Sequence, residues 1–251
     1  MLDCRPAPTP LSSSSKLLLV DDSPPTDLSL YKHDVGPLQY LLCTHPDIAF
    51  AVNKLSQFMH APTQLHWQHI KRLFCYLKGT SHLGLRLDSA STPSLVVFAD
   101  SNWAGDPNDR TSTMVFLVYY GSNLISWKSK KQRSVARSST KAEYCALAHV
   151  TSELLWIQNL LRELHHPVPF VPTIYCDNLG AVTFSANPIH HSRIKHLALD
   201  YLFVWDLVQS SSACPHDIPA GRLLDKATAH HSLSASSLQD WCRTRHHLAG
   251  A

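Results

Sequence analysis

Two kinds of hydrophobic pattern divide the chain. In "PDIAFAVNKLSQFM", residues 46 to 59, Ile48, Val52, Leu55 and Met59 recur three to four apart, and the run opens on a proline whose missing N–H is harmless in a first helical turn. This predicts an amphipathic helix. "PTQLHWQHIKRLFCYLKGT" repeats the pattern with Ile70, Leu73 and Leu77 and closes on Gly79, the expected C-cap. After the polar link from Asp88 to Pro93 the pattern changes to strands. "SLVVFAD", "TSTMVFLVYYG" and "NLISWKSKK" read as three adjacent antiparallel strands, the last two joined as a hairpin by Gly121-Ser122-Asn123. From Thr140 a helical stripe takes over, with Leu147, Val150, Leu154, Ile157, Leu161 and Leu164 facing the sheet. "TIYCDNLGAV" then reads as a short strand turning into a helix, "RIKHLALDYLFVWDLV" as a helix, "HDIPAG" as a brief strand, and the Ser- and His-rich tail as weak helix or coil. Residues 1 to 30, rich in proline and serine, are expected to be extended, with at most a short strand at Leu17 to Val20 and little share in the core.

Three acids interrupt this pattern. Asp100 ends the apolar run Leu95-Val96-Val97-Phe98, Asp177 ends Ile174-Tyr175-Cys176, and Glu143 occupies the stripe position four residues before Leu147. An Asp after a strand is most often a turn or cap residue. A carboxylate in a core-facing stripe is different, because burying it unpaired costs several kcal/mol and demands a hydrogen-bonding partner or a cation. In a small α/β sheet two strand ends and one helix start can converge, and carboxylates that share a site are tolerated when divalent ions bind between them. Asp100, Glu143 and Asp177 are therefore candidate metal ligands, expected at one cleft.

Composition narrows the setting. With 251 residues, 44% of them hydrophobic, the chain can bury the core of one moderate or two small domains. A net charge of +3 permits a phosphate-rich partner without demanding one. The seven cysteines are scattered, without a CxxC pair, as free thiols of a reducing compartment would be. The seventeen histidines keep no zinc-ligand spacing with cysteines or carboxylates. No apolar run reaches the roughly 18 residues of a membrane helix, and the acidic, proline-rich start is unlike a signal peptide. A cytoplasmic or nuclear location is expected. The pair in "LLLVDD" (17 to 22) lacks the preceding aromatic and the return strand of a polymerase metal site, so Asp21 and Asp22 read as solvated loop residues.

Longer motifs carry a resemblance that covers nearly the whole chain. "ADSNWAGDPNDRTST", "LISWKSKKQRSVARSSTKAEYCALA", "IYCDNLGAV" and "NPIHHSRIKHLALDYLFV" resemble the C-terminal part of copia-type LTR retrotransposon Pol polyproteins, and "HDIPAGRLLDKAT" resembles it more loosely. "CRPAPTP", "YKHDVGPLQYLLCTHPDIAFAVNKLSQFM" and "HWQHIKRLFCYLKGT" look like the segment that links the polymerase to its ribonuclease H domain. The resemblance implies an α/β fold of ribonuclease H type, a mixed five-stranded sheet flanked by helices and preceded by a small helical unit. It implies a reverse-transcriptase tail over 1–90, a ribonuclease H-like domain over 91–232 and a C-terminal tail over 233–251, in a chain that begins after the polymerase palm.

The activity implied is two-metal hydrolysis of the RNA strand of RNA–DNA hybrids, with Asp100, Glu143, Asp177 and Asp225 holding two Mg²⁺ ions, or Mn²⁺ in their place. The partners implied are the hybrid and the polymerase part of a parent polyprotein. Candidate phosphate contacts are Lys71, Arg72, Lys78, Lys128, Lys130, Lys131, Arg133, Arg193 and Lys195. The alternative is a remnant of the same fold that binds nucleic acid without cutting it. A transposase or integrase would order its acids Asp, Asp, Glu, whereas Glu143 stands between the two strand aspartates.

Overall fold

The structure, a computed structural model, describes residues 4–12, 16–89, 93–178 and 180–181, together with the backbone of 222–225. The expected helix at 193–208, the expected strand at 216–221 and the tail lie outside the described residues.

The N-terminal part is helical. Asp27 caps α1 (Leu28–Leu41) by accepting from the Ser29 and Leu30 amides at 2.8 and 3.2 Å. A 3₁₀ turn, Pro46–Ile48, leads into α2 (Ala49–Ser56), and α3 spans Gln64–Gly79. Thr63 begins α3 in a capping box whose return partner is His66: the Thr63 amide donates to Nδ1 at 3.0 Å. Tyr31, Val35 and Leu38 of α1 close with Ile48, Val52, Leu55, Phe58, Ile70, Leu73 and Tyr76 into one apolar cluster.

Two expectations are corrected here. The N-terminal segment, expected to have little share in the core, contributes to it: Leu17 is buried, and Ala7 and Leu11 pack on the helical cluster while Leu19 and Val20 stay exposed. Gly79 is the last residue of α3 rather than its cap, which is Thr80. The glycine answers to packing, since a Cβ there would lie 2.8 Å from Pro6 Cβ.

The second part is a twisted α/β layer. β1 (Leu95–Asn102), β2 (Thr113–Tyr120), β3 (Asn123–Lys131), β4 (Thr173–Cys176) and β5 (Arg222–Asp225) lie in the order β3-β2-β1-β4-β5. β1, β2 and β3 pair antiparallel; β4 joins β1 in parallel, and β5 extends β4 in parallel through backbone pairing. The hairpin loop is Gly121-Ser122, with Gly121 at φ 60°, the positive value a two-residue turn requires at its first position. The long helix α4 (Ser139–Glu163) starts on Ser138, which accepts from the Lys141 amide.

Both faces of the sheet are covered. Leu95, Val97 and Ala99 of β1, with Phe116 and Val118 of β2, pack against Tyr144, Leu147, Val150, Leu154 and Ile157 of α4. Leu164 does not continue that stripe, because α4 ends at Glu163 and Leu164 is 58% exposed. On the other face Val115, Leu117 and Tyr119 meet Val96, Phe98, Leu124 and Trp127, with Phe50 of α2 laid over them. The Trp127 indole donates to the Leu42 carbonyl at 2.9 Å, so the helical part and the sheet share a packed interface. Among the described residues no helix is long and apolar enough to cross a membrane.

Candidate metal centre at the end of the parallel strands

The site grows from the parallel pair β1 and β4. Phe98 and Tyr175 are in register and stack ring on ring, with centroids 5.1 Å apart and planes 13° from parallel. Asp100 and Asp177 each lie two residues beyond that pair. β1 does not end at Asp100, as its apolar run suggests; it continues to Asn102 because β2 supplies partners as far as Thr113, with Val115 opposite Asp100. Asp177 does follow the last residue of β4 directly.

Glu143 occupies the position its stripe predicts. It lies in the first turns of α4, is 4% exposed, and its Oε1 accepts the Ser101 amide at 3.0 Å. Its Oε2 accepts from the Cys176 thiol at 3.7 Å. Gln132 braces the same corner by donating to the Ala142 carbonyl at 2.8 Å and to the Ser101 hydroxyl at 3.3 Å.

Glu143, Cys176 and Asp177 offer ligand atoms that all lie within 4.8 Å of one another; Glu143 and Cys176 are buried and Asp177 is exposed. Asp100 is not a member of this compact group. The pleat explains the difference: alternation along β1 groups Asp100 with Val96 and Phe98, whereas Ser101, on the α4 side with Val97 and Ala99, gives its amide to Glu143. Asp225 ends β5 with its backbone in register with Cys176, and its side chain lies outside the described residues.

The candidate phosphate contacts divide in two. Lys71 and Lys78 are exposed on α3, Lys71 over the Trp67 ring and Lys78 donating to the Cys4 carbonyl. Lys128 and Arg133 are exposed along and just after β3, the edge strand, with Lys130 half-buried between them. Arg72 instead anchors the N-terminal segment through Thr9 Oγ1 at 2.8 Å. Lys131 is committed to Asp106 and Asp109, both at 2.8 Å. Arg193 and Lys195 lie outside the described residues.

Asp106 is a residue the sequence reading missed. It is nearly buried in the β1–β2 loop, where Lys54 of α2 and Lys131 of β3 both donate to its Oδ2. Burial opposes its ionisation, but the bonds from Lys131, the Asn108 amide and Lys54 outweigh burial and hold the carboxyl well below the usual range. The same loop grips the N-terminal segment, since Asn108 accepts the Leu19 amide and donates to the Leu17 carbonyl. Asp21 is likewise structural, accepting from the Ser23 amide and the Thr63 hydroxyl.

The chain is 49% identical over 84% of its length to a retrovirus-related Pol polyprotein from transposon RE2 of Arabidopsis thaliana, and 34% identical over 84% to one from transposon TNT 1-94 of Nicotiana tabacum. It spans 15% and 16% of the lengths of those two polyproteins. Among solved structures it is similar to an RNase H1 isolated from compost by a metagenomic approach, with a TM-score of 0.38, 12% identity, and coverage of 60% of this chain and 95% of that one. No protein-family model matches the sequence.

Proposed function

The chain belongs to the family of retrovirus-related Pol polyproteins of transposons, and from that premise we propose that its sheet and α4 form a ribonuclease H domain that hydrolyses the RNA strand of RNA–DNA hybrids. The observation that carries this reading is the meeting of Glu143 from α4 with Asp177 from the end of β4, beside the backbone of the β1 strand that bears Asp100. Two carboxylates from separate elements, Glu143 and Asp177, come together at the end of one parallel strand pair, and a hydrolysis by metal-activated water needs no protein nucleophile.

The donor set fits hard divalent cations. Glu143 and Asp177 offer carboxylate oxygens, the ligands Mg²⁺ and Mn²⁺ prefer, and Asp100 and Asp225 would complete the set in the proposal. When bound, a pair of such ions supplies activation of a water nucleophile and charge stabilisation at the leaving 3′-oxygen. The chain's own residues do the positioning. The Ser101 amide fixes one oxygen of Glu143 and so orients the other. The stacked Phe98 and Tyr175 hold the two strands that carry Asp100 and Asp177 at a constant spacing. Lys128, Lys130 and Arg133 on the sheet edge, with Lys71 and Lys78 on α3, are the proposed phosphate contacts; selection of a hybrid duplex would rest on its shape and its 2′-hydroxyls.

The test is incubation of the chain with a labelled hybrid, duplex DNA and duplex RNA, each with Mg²⁺ and with chelator. Cleavage confined to the hybrid and dependent on Mg²⁺ is the expected result. Hybrid binding with no cleavage in Mg²⁺ would contradict it.

A further inference from the structure

We propose that Glu143, Cys176 and Asp177 also form a mixed thiol–carboxylate site for a borderline-soft divalent cation of the zinc class. The site overlaps the hard-cation site above, and the inference rests on that reading for its consequence, competition with Mg²⁺. A hard-cation centre has no use for sulfur: Mg²⁺ takes oxygen ligands, whereas thiolate selects ions such as Zn²⁺. Yet Cys176 is fully buried against the carboxylate the site depends on.

The geometry suits a tetrahedral ion. With metal–sulfur and metal–oxygen distances of about 2.3 and 2.1 Å, a tetrahedral sulfur–oxygen edge measures about 3.6 Å. The Cys176 Sγ to Glu143 Oε2 distance is 3.7 Å, and the third donor, on Asp177, is within 4.8 Å of both. Two consecutive residues reach one point because Asp177 has left β4, so strand alternation no longer sends it to the face opposite Cys176. Glu143 is pre-oriented as well, since the Ser101 amide occupies Oε1 and leaves Oε2 toward the thiol. On binding, the Cys176 S–H bond breaks, its proton passes to solvent, and a sulfur–metal bond replaces it with no change of oxidation state. Three protein donors leave a fourth tetrahedral position for water or a phosphate oxygen.

Co²⁺ is the probe, because a direct cobalt–thiolate bond gives a charge-transfer absorption band, and Zn²⁺ added afterwards should abolish it. The intact chain should show the band at one cobalt per molecule. Cys176→Ser should remove it, while Cys145→Ser, a change to a thiol outside the group, should leave it. Asp177→Asn alters an exposed side chain and should keep the band at saturation while weakening cobalt binding by about tenfold or more. A band that persists in Cys176→Ser, or none in the intact chain, overturns the site; if Cys176→Ser does not fold, unchanged cobalt affinity in Asp177→Asn overturns it. Mg²⁺-dependent cleavage of hybrid without a Cys176-dependent band refutes this inference and leaves the ribonuclease reading intact. The band without cleavage does the reverse.

Discussion

Lys54 of α2 and Asp106 of the β1–β2 loop, 52 residues apart, meet at 2.9 Å across the boundary between the helical part and the sheet. Lys131 reaches the same Asp106 oxygen from β3, so one nearly buried carboxylate joins three segments of the chain. Asp106→Asn leaves two ammonium groups facing a neutral amide and should destabilise the fold by about 3 kcal/mol, read as a lower urea midpoint at pH 7.

The same carboxylate sets an acid limit. Its folded pKa lies below the unfolded value of about 3.9. The stability it contributes is therefore complete above that pH and is lost as pH falls toward the folded value. Urea midpoints measured on descending pH should fall less steeply below about pH 4 in Asp106→Asn than in the parent chain; parallel curves would refute the assignment.

His66 gives the helical part a second, milder pH dependence. It is buried and stacked on Phe58, with Nδ1 accepting from Thr63 and Nε2–H donating to the Leu18 carbonyl at 3.0 Å, a pattern only the neutral ring can make. Burial is the main cause that lowers its pKa. Its contribution is then present above the unfolded value of about 6.5 and lost as pH falls below it. His66→Gln should lower stability at pH 8 and flatten the loss that sets in as pH falls below about 6.5. A full pH dependence in that variant would place its origin elsewhere.

The basic residues should separate by role. Lys128→Ala should reduce the salt dependence of hybrid binding by about one unit of slope with little change in stability. Lys131→Ala should do the opposite, because its ammonium is spent on Asp106 and Asp109. Salt slopes unchanged from the parent chain in both variants would mean that neither group contacts phosphate.

These assignments show which features a single sequence carries. The hairpin, the long helix and the inward position of Glu143 were legible because each is written in local periodicity and in one residue that violates it. α1 was missed although Tyr31, Val35 and Leu38 are helically spaced and Asp27 caps the start. Gly36 and Pro37 lie inside α1, and the proline ring is tolerated on its exposed side. The Asp106 network was invisible for a different reason: Lys54, Asp106 and Lys131 are far apart in sequence, and nothing local marks an aspartate as buried. Cys176 was read only as one of seven scattered cysteines, because its contact with Glu143 exists only once α4 lies on the sheet. Strand alternation, applied to Asp100, already implied a face shared with Phe98, a consequence that reading it as a strand end concealed.

The most direct test of the ribonuclease account is the chemistry of the RNA ends left after Mg²⁺-dependent incubation with a hybrid. Water attack with departure of the 3′-oxygen leaves 3′-hydroxyl and 5′-phosphate ends, and these should form in the parent chain and disappear in Asp100→Asn and Glu143→Gln while hybrid binding persists. RNA ends carrying 2′,3′-cyclic phosphate, which arise when the RNA's own 2′-hydroxyl attacks, or 5′-phosphate ends undiminished in both variants, would contradict the account.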